Sequence, residues 1–452
     1  MTVPTIALVP WGDVWEDFLD KIGISLDDFL TEMSGGWLFG YVDALDRFGI
    51  RTVLVLWSRE VRRPHQRVHV PTGTMVWVLP ATRAHWAARR LRERVWSLRA
   101  PTNPRARRVW RAARRATALA AGYTATPPRG LARVLSQEQC DAIVVQNYEY
   151  PRFDVCVLLG RWLGMPVFAT HQGGKPPKHR MEGWVHRWTV PAAAGLLVGA
   201  RQEATAVAAR HRLSPDAVTV VSNPIDVREW MPGDREAARN ALNLPADVPV
   251  ACWYGRAQVK QKGLDVLVEA WRLVCAERPG ADLRLLLCGT LSGNRGSIQL
   301  RRLIAAADLR GVHWRDEYVT DRTVLRRQLA AADTFVFPSR HEGFAVSPME
   351  AMACGRPVVA CDAPGVADLL DGGEQAGVVV VPREDPRALA DAMGRLLDDR
   401  ALAARLGEAA RRAVRRHSPE VVGLTLAAAL HKAAPDRFPA PPSQPESFTD
   451  VV

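Results

Sequence analysis

Ser339-Arg340-His341-Glu342-Gly343-Phe344-Ala345-Val346-Ser347-Pro348-Met349-Glu350-Ala351-Met352-Ala353-Cys354-Gly355-Arg356-Pro357-Val358-Val359 is the stretch from which the fold of this chain is read. It follows the apolar run Thr334–Phe337 and leads into a second, Pro357–Ala360, both of strand length. Between them a polar loop turns through glycine, and Ser347-Pro348 opens a helix. A strand, a loop and a helix leading to the next strand is the repeating unit of a parallel sheet covered on both faces. Ser347 reads as an N-cap, with Glu350 at the third helical position closing a capping box. Capping accounts for Glu350, but not for Glu342 eight residues earlier. That carboxylate stands in a polar loop at the carboxyl edge of a sheet, where open α/β folds bind ligands.

The same pattern extends outward in both directions. Short apolar runs at Val218–Val221, Val250–Trp253 and Leu283–Leu287 alternate with amphipathic stretches such as Gly263–Glu277. Upstream, Thr5–Val9, Thr52–Leu56, Met75–Leu79, Ala142–Val145, Pro166–Ala169 and Gly195–Val198 repeat it. A chain of 452 residues is long enough for two such cores. Leu213-Ser214-Pro215 carries a helix stop where the pattern restarts. The expected organisation is therefore an N-terminal domain over 1–214, a C-terminal domain over 215–412, a helix over 413–434 returning to the first domain, and a disordered Pro- and Ser-rich tail over 435–452. Trp15, Phe18, Leu19, Ile22, Leu26 and Phe29 lie between the first strand and Gly35-Gly36. Their spacing predicts a helical insertion over the mouth of the N-terminal sheet, serving packing or acceptor recognition.

A second polar element sits at the end of the run Val250–Trp253. Tyr254-Gly255-Arg256 closes that run, and Lys262-Gly263 opens the next helical stretch, six residues after Arg256. Two cations flanking a strand-to-helix loop can grip a diphosphate, the guanidinium as a fork and the ammonium as a point charge. A solvated surface suits the same pair on chemistry alone.

With these elements the sequence resembles the family 4 glycosyltransferases, retaining enzymes whose hallmark is E-x-x-x-x-x-x-x-E within E-G-F-G-L-P-x-x-E-A-M-A-x-G-x-P-V-V; Glu342 and Glu350 occupy its ends. The resemblance implies GT-B architecture, an α/β fold of two Rossmann-like domains facing each other across a cleft. It implies a nucleotide-diphosphate sugar as donor, a hydroxyl-bearing acceptor, and no cofactor. Glu342 would contact the donor sugar and Glu350 the ribose, with backbone amides of Gly343, Phe344, Ala345 and Val346 at the sugar and phosphates. Arg256 and Lys262 match the family's cationic pair. Ser222-Asn223-Pro224-Ile225-Asp226 is similar to its P-N-G-V-D element, Cys288-Gly289-Thr290 to its glycine-bearing strand end, and Trp314 and Arg315 lie where the nucleobase packs. Ala345 stands where glycine is usual, and its methyl narrows the pocket beside the sugar. The resemblance is strong over Val218–Leu397 and thin before it.

In the N-terminal half, Gly36 opens a helical stretch and would approach a phosphate, or simply start a turn. His171, in Thr170-His171-Gln172-Gly173-Gly174, would by resemblance face the donor sugar, and is counted with Arg256, Lys262 and Glu342 as catalytic. Tyr148 and Glu149, just past Ala142–Val145, are candidates for positioning an acceptor hydroxyl.

The chain contains no D-x-D triplet, so no metal bridge to the phosphates is expected and protein cations take its place. Seven cysteines without ligand or C-x-x-C spacing read as reduced core thiols, and no apolar run is long enough for a membrane span. A cytoplasmic protein is expected. The net charge of +12 comes from arginine, much of it between Arg83 and Arg115, where Glu93 is the only acid. Ala84, Ala87, Ala88, Leu91, Val95 and Leu98 form a stripe there, with Arg89, Arg90, Arg92, Arg94 and Arg99 mostly off it. This describes a helix covering a sheet, or one docking on the anionic inner face of a membrane or on an anionic acceptor. No groove-reading or base-stacking motif accompanies the charge, so nucleic acid is not an expected partner. A nucleotide-sugar epimerase or hydrolase of the same shape, and a non-catalytic partner protein, are the rival readings.

Overall fold

The computed structural model describes residues 3–10, 12–34, 36–171, 180–290 and 295–442. Fourteen strands among them form two sheets. The first contains β1 (Thr5–Val9), β2 (Arg51–Ser58), β3 (His65–His69), β4 (Thr74–Pro80), β5 (Ala142–Gln146), β6 (Val167–His171), β7 (Gly195–Val198) and β8 (Val218–Val220), in the order β3-β4-β2-β1-β5-β6-β7-β8. All neighbours pair in parallel except β3, which runs antiparallel to β4. The second contains β9 (Val250–Tyr254), β10 (Arg284–Cys288), β11 (Val312–Arg315), β12 (Thr334–Phe337), β13 (Val358–Cys361) and β14 (Val378–Val381), in the order β11-β10-β9-β12-β13-β14, parallel throughout. Strands β1, β5, β6 and β9 are buried at every residue. Continuous apolar runs of this kind are what a sheet covered on both faces requires.

The limits of β1, β7 and β12 coincide with the runs read from the sequence. The domain boundary does not. β8, expected to open the second domain, pairs with β7 and closes the first sheet, so the chain leaves the N-terminal unit after Val221 rather than at 214. Strands β3, β11 and β14 were not expected. All three are edge strands; β3 and β11 have exposed polar positions and so lack the apolar run that marks an interior strand, whereas the all-valine run of β14 was overlooked. The helical stretch from Gly263 is preceded by a separate turn, Val259–Lys262, because Gly263 adopts a left-handed φ of 63°.

Helices α1 (Glu16–Ile22) and α2 (Leu26–Thr31) lie at the mouth of the first sheet, and α3 (Gly36–Asp46) follows. Trp15, Leu19 and Phe29 join the core on that face. The helix Pro419–Ala433 packs on α3, and its Val422, Leu426 and Leu430 belong to the same N-terminal core. The segment expected to be disordered from 435 is ordered at its start. Phe438 is fully buried, and Arg437 donates to the carbonyls of Asp141 and Gly164.

The Arg-rich stretch forms α4 (Arg83–Ser97) and α5 (Pro104–Thr124), packed mainly on each other. Its expected stripe is not a packing face: Leu91 and Leu98 are more than half exposed, and His85 is the buried residue of α4. Nor is its charge merely solvated. Arg89 pairs with Asp17 at 2.7 Å and Arg92 with Asp13 at 3.1 Å, acids supplied by the loop and helix after β1.

Candidate functional site

The carboxyl ends of the two sheets face a cavity of about 390 Å³ lined by both domains. Its C-terminal wall begins where β9 and β10 end. A side-chain carbon at Gly289 would come within 1.8 Å of the Gly255 carbonyl, so these strand ends approach closely only because glycine is there. Arg256 emerges from this edge into the cavity and makes no ion pair among the described residues.

Lys262 ends the turn after it and meets Glu342 across the cavity wall, Nζ to Oε1 at 2.7 Å, both side chains largely buried. The Glu342 loop is fixed from several sides. Its N–H donates to the Pro364 carbonyl, and Arg340 beside it grips Asp265 through two bonds of 2.6 and 3.0 Å. Phe344 is buried against Gly199 of the first domain and stacks edge-on with His417. Asn223 donates to the Phe344 carbonyl at 3.4 Å. Gly343, Phe344, Ala345 and Val346 all line the cavity.

Glu350 sits on the helix Ser347–Ala353, but the capping box is absent. The N-cap is Val346, with no side-chain cap. Glu350 instead turns into the cavity and accepts a 2.7 Å bond from the Tyr254 hydroxyl. Burial pushes its carboxyl up to about 7; the Tyr254 bond and the Arg322 charge act in the opposite sense. Burial also raises Tyr254 well above the ordinary phenol value, with Glu350 adding to it. The carboxylate read as a cap is therefore a group tuned by its surroundings.

Gly36 and Gly289 line the same cavity. Gly35 and Gln172-Gly173-Gly174 lie outside the described residues. His171 ends β6 and pairs with Glu149, Nε2 to Oε1 at 2.9 Å; both are nearly buried and outside the lining. Tyr148 is 1 % exposed, with its hydroxyl bonded to Glu203 and Arg210, so it offers no face to an acceptor. Trp314 and Arg315 also stand apart. The Trp314 indole donates to the Gly289 carbonyl beneath the strand end, and Arg315 pairs with Glu317.

The positions beside Gly289 that do line the cavity are Tyr318, Val319, Thr320, Arg322 and Leu325. Sequence reasoning missed them. Asp321, which caps the helix Arg322–Ala331, was the available signal, since it marks a helix start at the carboxyl edge of β11. Arg322 pairs with Glu229 and lies within electrostatic reach of Glu350. The opposite wall is mostly apolar: Trp15, Phe18, Ile22, Phe29 and Met33 come from the insertion after β1, and Trp37 from the start of α3.

Comparison with known proteins agrees with this geometry. Residues 248–399 match the family model described as Glycosyl transferases group 1. A D-inositol 3-phosphate glycosyltransferase of Xylanimonas cellulosilytica is 36% identical over 237 residues, 50% of this chain and 54% of that protein. A lipopolysaccharide core biosynthesis mannosyltransferase of Rhizobium meliloti is 34% identical over 186 residues, 40% of this chain and 51% of that one. The chain thus spans about half the length of the curated relatives it matches. In fold, it superposes on sucrose-phosphate synthase from Thermosynechococcus elongatus with a TM-score of 0.68 at 20% identity, covering 95% of this chain and 98% of that one. Anabaena HepE, solved in complex with UDP, gives 0.67 at 15% identity over 95% and 100% of the two chains. The fold is that of the GT-B glycosyltransferases, in two Rossmann-like domains.

Proposed function

We propose, from the match of residues 248–399 to the glycosyl transferases group 1 family model, that the chain is a retaining family 4 glycosyltransferase, moving a sugar from a nucleotide-diphosphate donor to a hydroxyl-bearing acceptor without a divalent metal. The observation that carries this reading is the Lys262–Glu342 pair, set on one cavity with Arg256 and Glu350. Breaking the bond between the anomeric carbon and phosphate builds positive charge on the sugar ring and negative charge on the departing diphosphate. Arg256 and Lys262 serve the diphosphate, and Glu342 holds Lys262 in place while facing the sugar. Glu350 accepts from the ribose diol. Amides at Phe344–Val346 meet the sugar and phosphates. The leaving phosphate takes the acceptor proton on the same face of the ring, so retention needs no covalent enzyme intermediate. His171, braced by Glu149, contributes on the sugar side, and Gly36 lets backbone approach the phosphates.

The UDP bound to Anabaena HepE makes uridine nucleotides the first donors to test. Among the described residues no helix is long and apolar enough to cross a membrane. We place the chain in the cytoplasm, where its buried thiols stay reduced, with peripheral contact to the inner membrane face through residues 83–115.

The test is a panel of nucleotide sugars and acceptors assayed in excess EDTA, with product configuration read by NMR. Acceptor-dependent nucleotide release with retained configuration is expected. Conversion of donor without acceptor points to an epimerase or hydrolase, and activity that EDTA abolishes and magnesium restores overturns metal independence.

A further inference from the structure

Two more cavities adjoin the cleft on its N-terminal side. One, of about 440 Å³, lies between α1, α4 and the end of β5, and shares Gln146 with the donor cleft. The other, of about 570 Å³, lies between α4 and α5 and shares Asp13, Arg92, Trp96 and Tyr150 with the first. Together they form a trough leading from the proposed donor site out along the Arg-rich helices.

The arginines along this trough are of two kinds. At its inner end they are engaged by the protein. Arg92 pairs with Asp13, Arg89 with Asp17, and buried Arg152 donates to Thr126 and to the carbonyls of Pro10 and Asp13. At the outer end Arg111, Arg114 and Arg115 line the cavity and enter no ion pair among the described residues. Arg114 is nevertheless held in place, its guanidinium 4.4 Å from the ring centre of Trp96 and 4.5 Å from that of Trp110. Both indoles are tied down by N–H bonds, to the carbonyls of Arg114 and Leu98. Three arginines line this one cavity against the single carboxylate of Glu182 at this end, and one of them is held against two aromatic rings, a setting that suits a phosphate group.

We propose that this trough is the acceptor channel, and that Arg111, Arg114 and Arg115 form a subsite for a phosphate ester carried by the acceptor, whose reacting hydroxyl lies at the Gln146 end. The proposal rests on the donor cleft being where transfer occurs. The same chemistry is presented by a soluble phosphorylated polyol and by a phospholipid headgroup.

Calorimetric titration of glycerol phosphate into the 452-residue protein, with UDP already added, tests it, with glycerol as the control ligand. The Arg111→Gln/Arg115→Gln variant changes two exposed positions, so its fold should be intact, which its melting temperature and UDP affinity report. The expected result is binding of glycerol phosphate but not glycerol, weakened roughly tenfold or more in the variant while UDP affinity is unchanged. Equal glycerol phosphate affinity in both proteins, or none in either, overturns the proposal. Failure of UDP, GDP and ADP alike to bind overturns the donor reading instead, and leaves the dependence on arginine to be read on its own. Co-sedimentation with vesicles of phosphatidylglycerol in phosphatidylcholine distinguishes the sources: arginine-dependent sedimentation assigns the subsite to a lipid headgroup, and soluble binding alone to a free phosphate ester.

Discussion

The two walls of the cleft are built from opposite material. The C-terminal wall presents Arg256, Lys262, Arg322, Glu342 and Glu350, all at or just beyond the carboxyl edges of strands in one parallel sheet. The N-terminal wall presents Trp15, Phe18, Ile22, Phe29, Met33 and Trp37, from a helical insertion after β1 and the start of α3. Apart from Arg256, charges on the first wall are paired or bonded before any ligand arrives, as the Lys262–Glu342, Tyr254–Glu350 and Arg322–Glu229 contacts show. Aromatic groups on the second are partly core and partly lining. Phe29 is fully buried, whereas Phe18 and Trp37 remain partly exposed to the cavity. One wall is organised to meet charge, and the other to exclude water from it.

The sharpest way to break this division is on the charged wall. Lys262→Ala should lower turnover roughly 30- to 1,000-fold, as loss of about 2–4 kcal/mol of charge stabilisation requires. Near-normal steady-state rates would show that the wall does not hold the diphosphate.

Glu350 gives a test with a sign. Its carboxyl in the folded protein titrates at about 7 against an ordinary 4.5. The native state therefore holds the proton more tightly than the unfolded chain, and stability falls as pH rises from the lower value through the higher. Glu350→Gln keeps an acceptor for Tyr254 and removes the buried charge. At pH 8 it should be more stable than the wild type by on the order of 1–3 kcal/mol, and at pH 4, below the unfolded value, nearly equal, as denaturant melts at the two pH values would show. Its nucleotide affinity should fall and lose its dependence on pH between 6 and 8, because a neutral amide is a weaker acceptor for a diol than a carboxylate. A nucleotide affinity of the variant that still rises with pH would remove Glu350 from the diol.

On the apolar wall, Phe18→Ala and Trp37→Ala should raise the acceptor KM about 5- to 30-fold, the cost of about 1–2 kcal/mol of lost apolar burial, with UDP affinity unchanged. Parallel losses of UDP affinity would mean that both walls serve the donor. A comparably modest effect is expected at His171, which is buried beside Glu149 outside the lining. His171→Ala should reduce turnover about tenfold, less than the roughly 100-fold or more of a proton-transfer group, and nucleotide affinity still less. Equal losses in both would mark the residue as structural.

The charged wall was legible in the sequence because its residues follow one another at short spacing around two strand ends. Arg256 and Lys262 close one turn, and Glu342 and Glu350 bracket another. What each residue does there was less legible. Spacing alone made Glu350 a capping residue, and only the packed strand β9 brings Tyr254 to its carboxyl. Tyr318 and Arg322 escaped because they follow β11, an edge strand with alternating exposed positions and no apolar run to announce it. Tyr148 was misjudged for a related reason. A strand end fixes where the backbone goes, but not which way the side chain turns, and here Glu203 and Arg210 hold the hydroxyl inside. The acids that neutralise Arg89 and Arg92 lie more than seventy residues upstream, so a local count of charge overstated how much of that helix is free.

The chain crosses between the domains twice, after β8 and again ahead of the helix Pro419–Ala433, and the two crossings touch: the Ile225 N–H donates to the His417 carbonyl at 2.8 Å. A single tether would let one half swivel about any axis, like a ball in a socket. Two tethers laced side by side leave one easy rotation, about the line joining them, and resist twist and shear. Any opening or closing of the cleft is thereby steered toward one arc between the wall that carries Glu342 and Glu350 and the aromatic one. A protease cut at either crossing would leave the halves joined by the other, yet free the swivel that the pair suppresses.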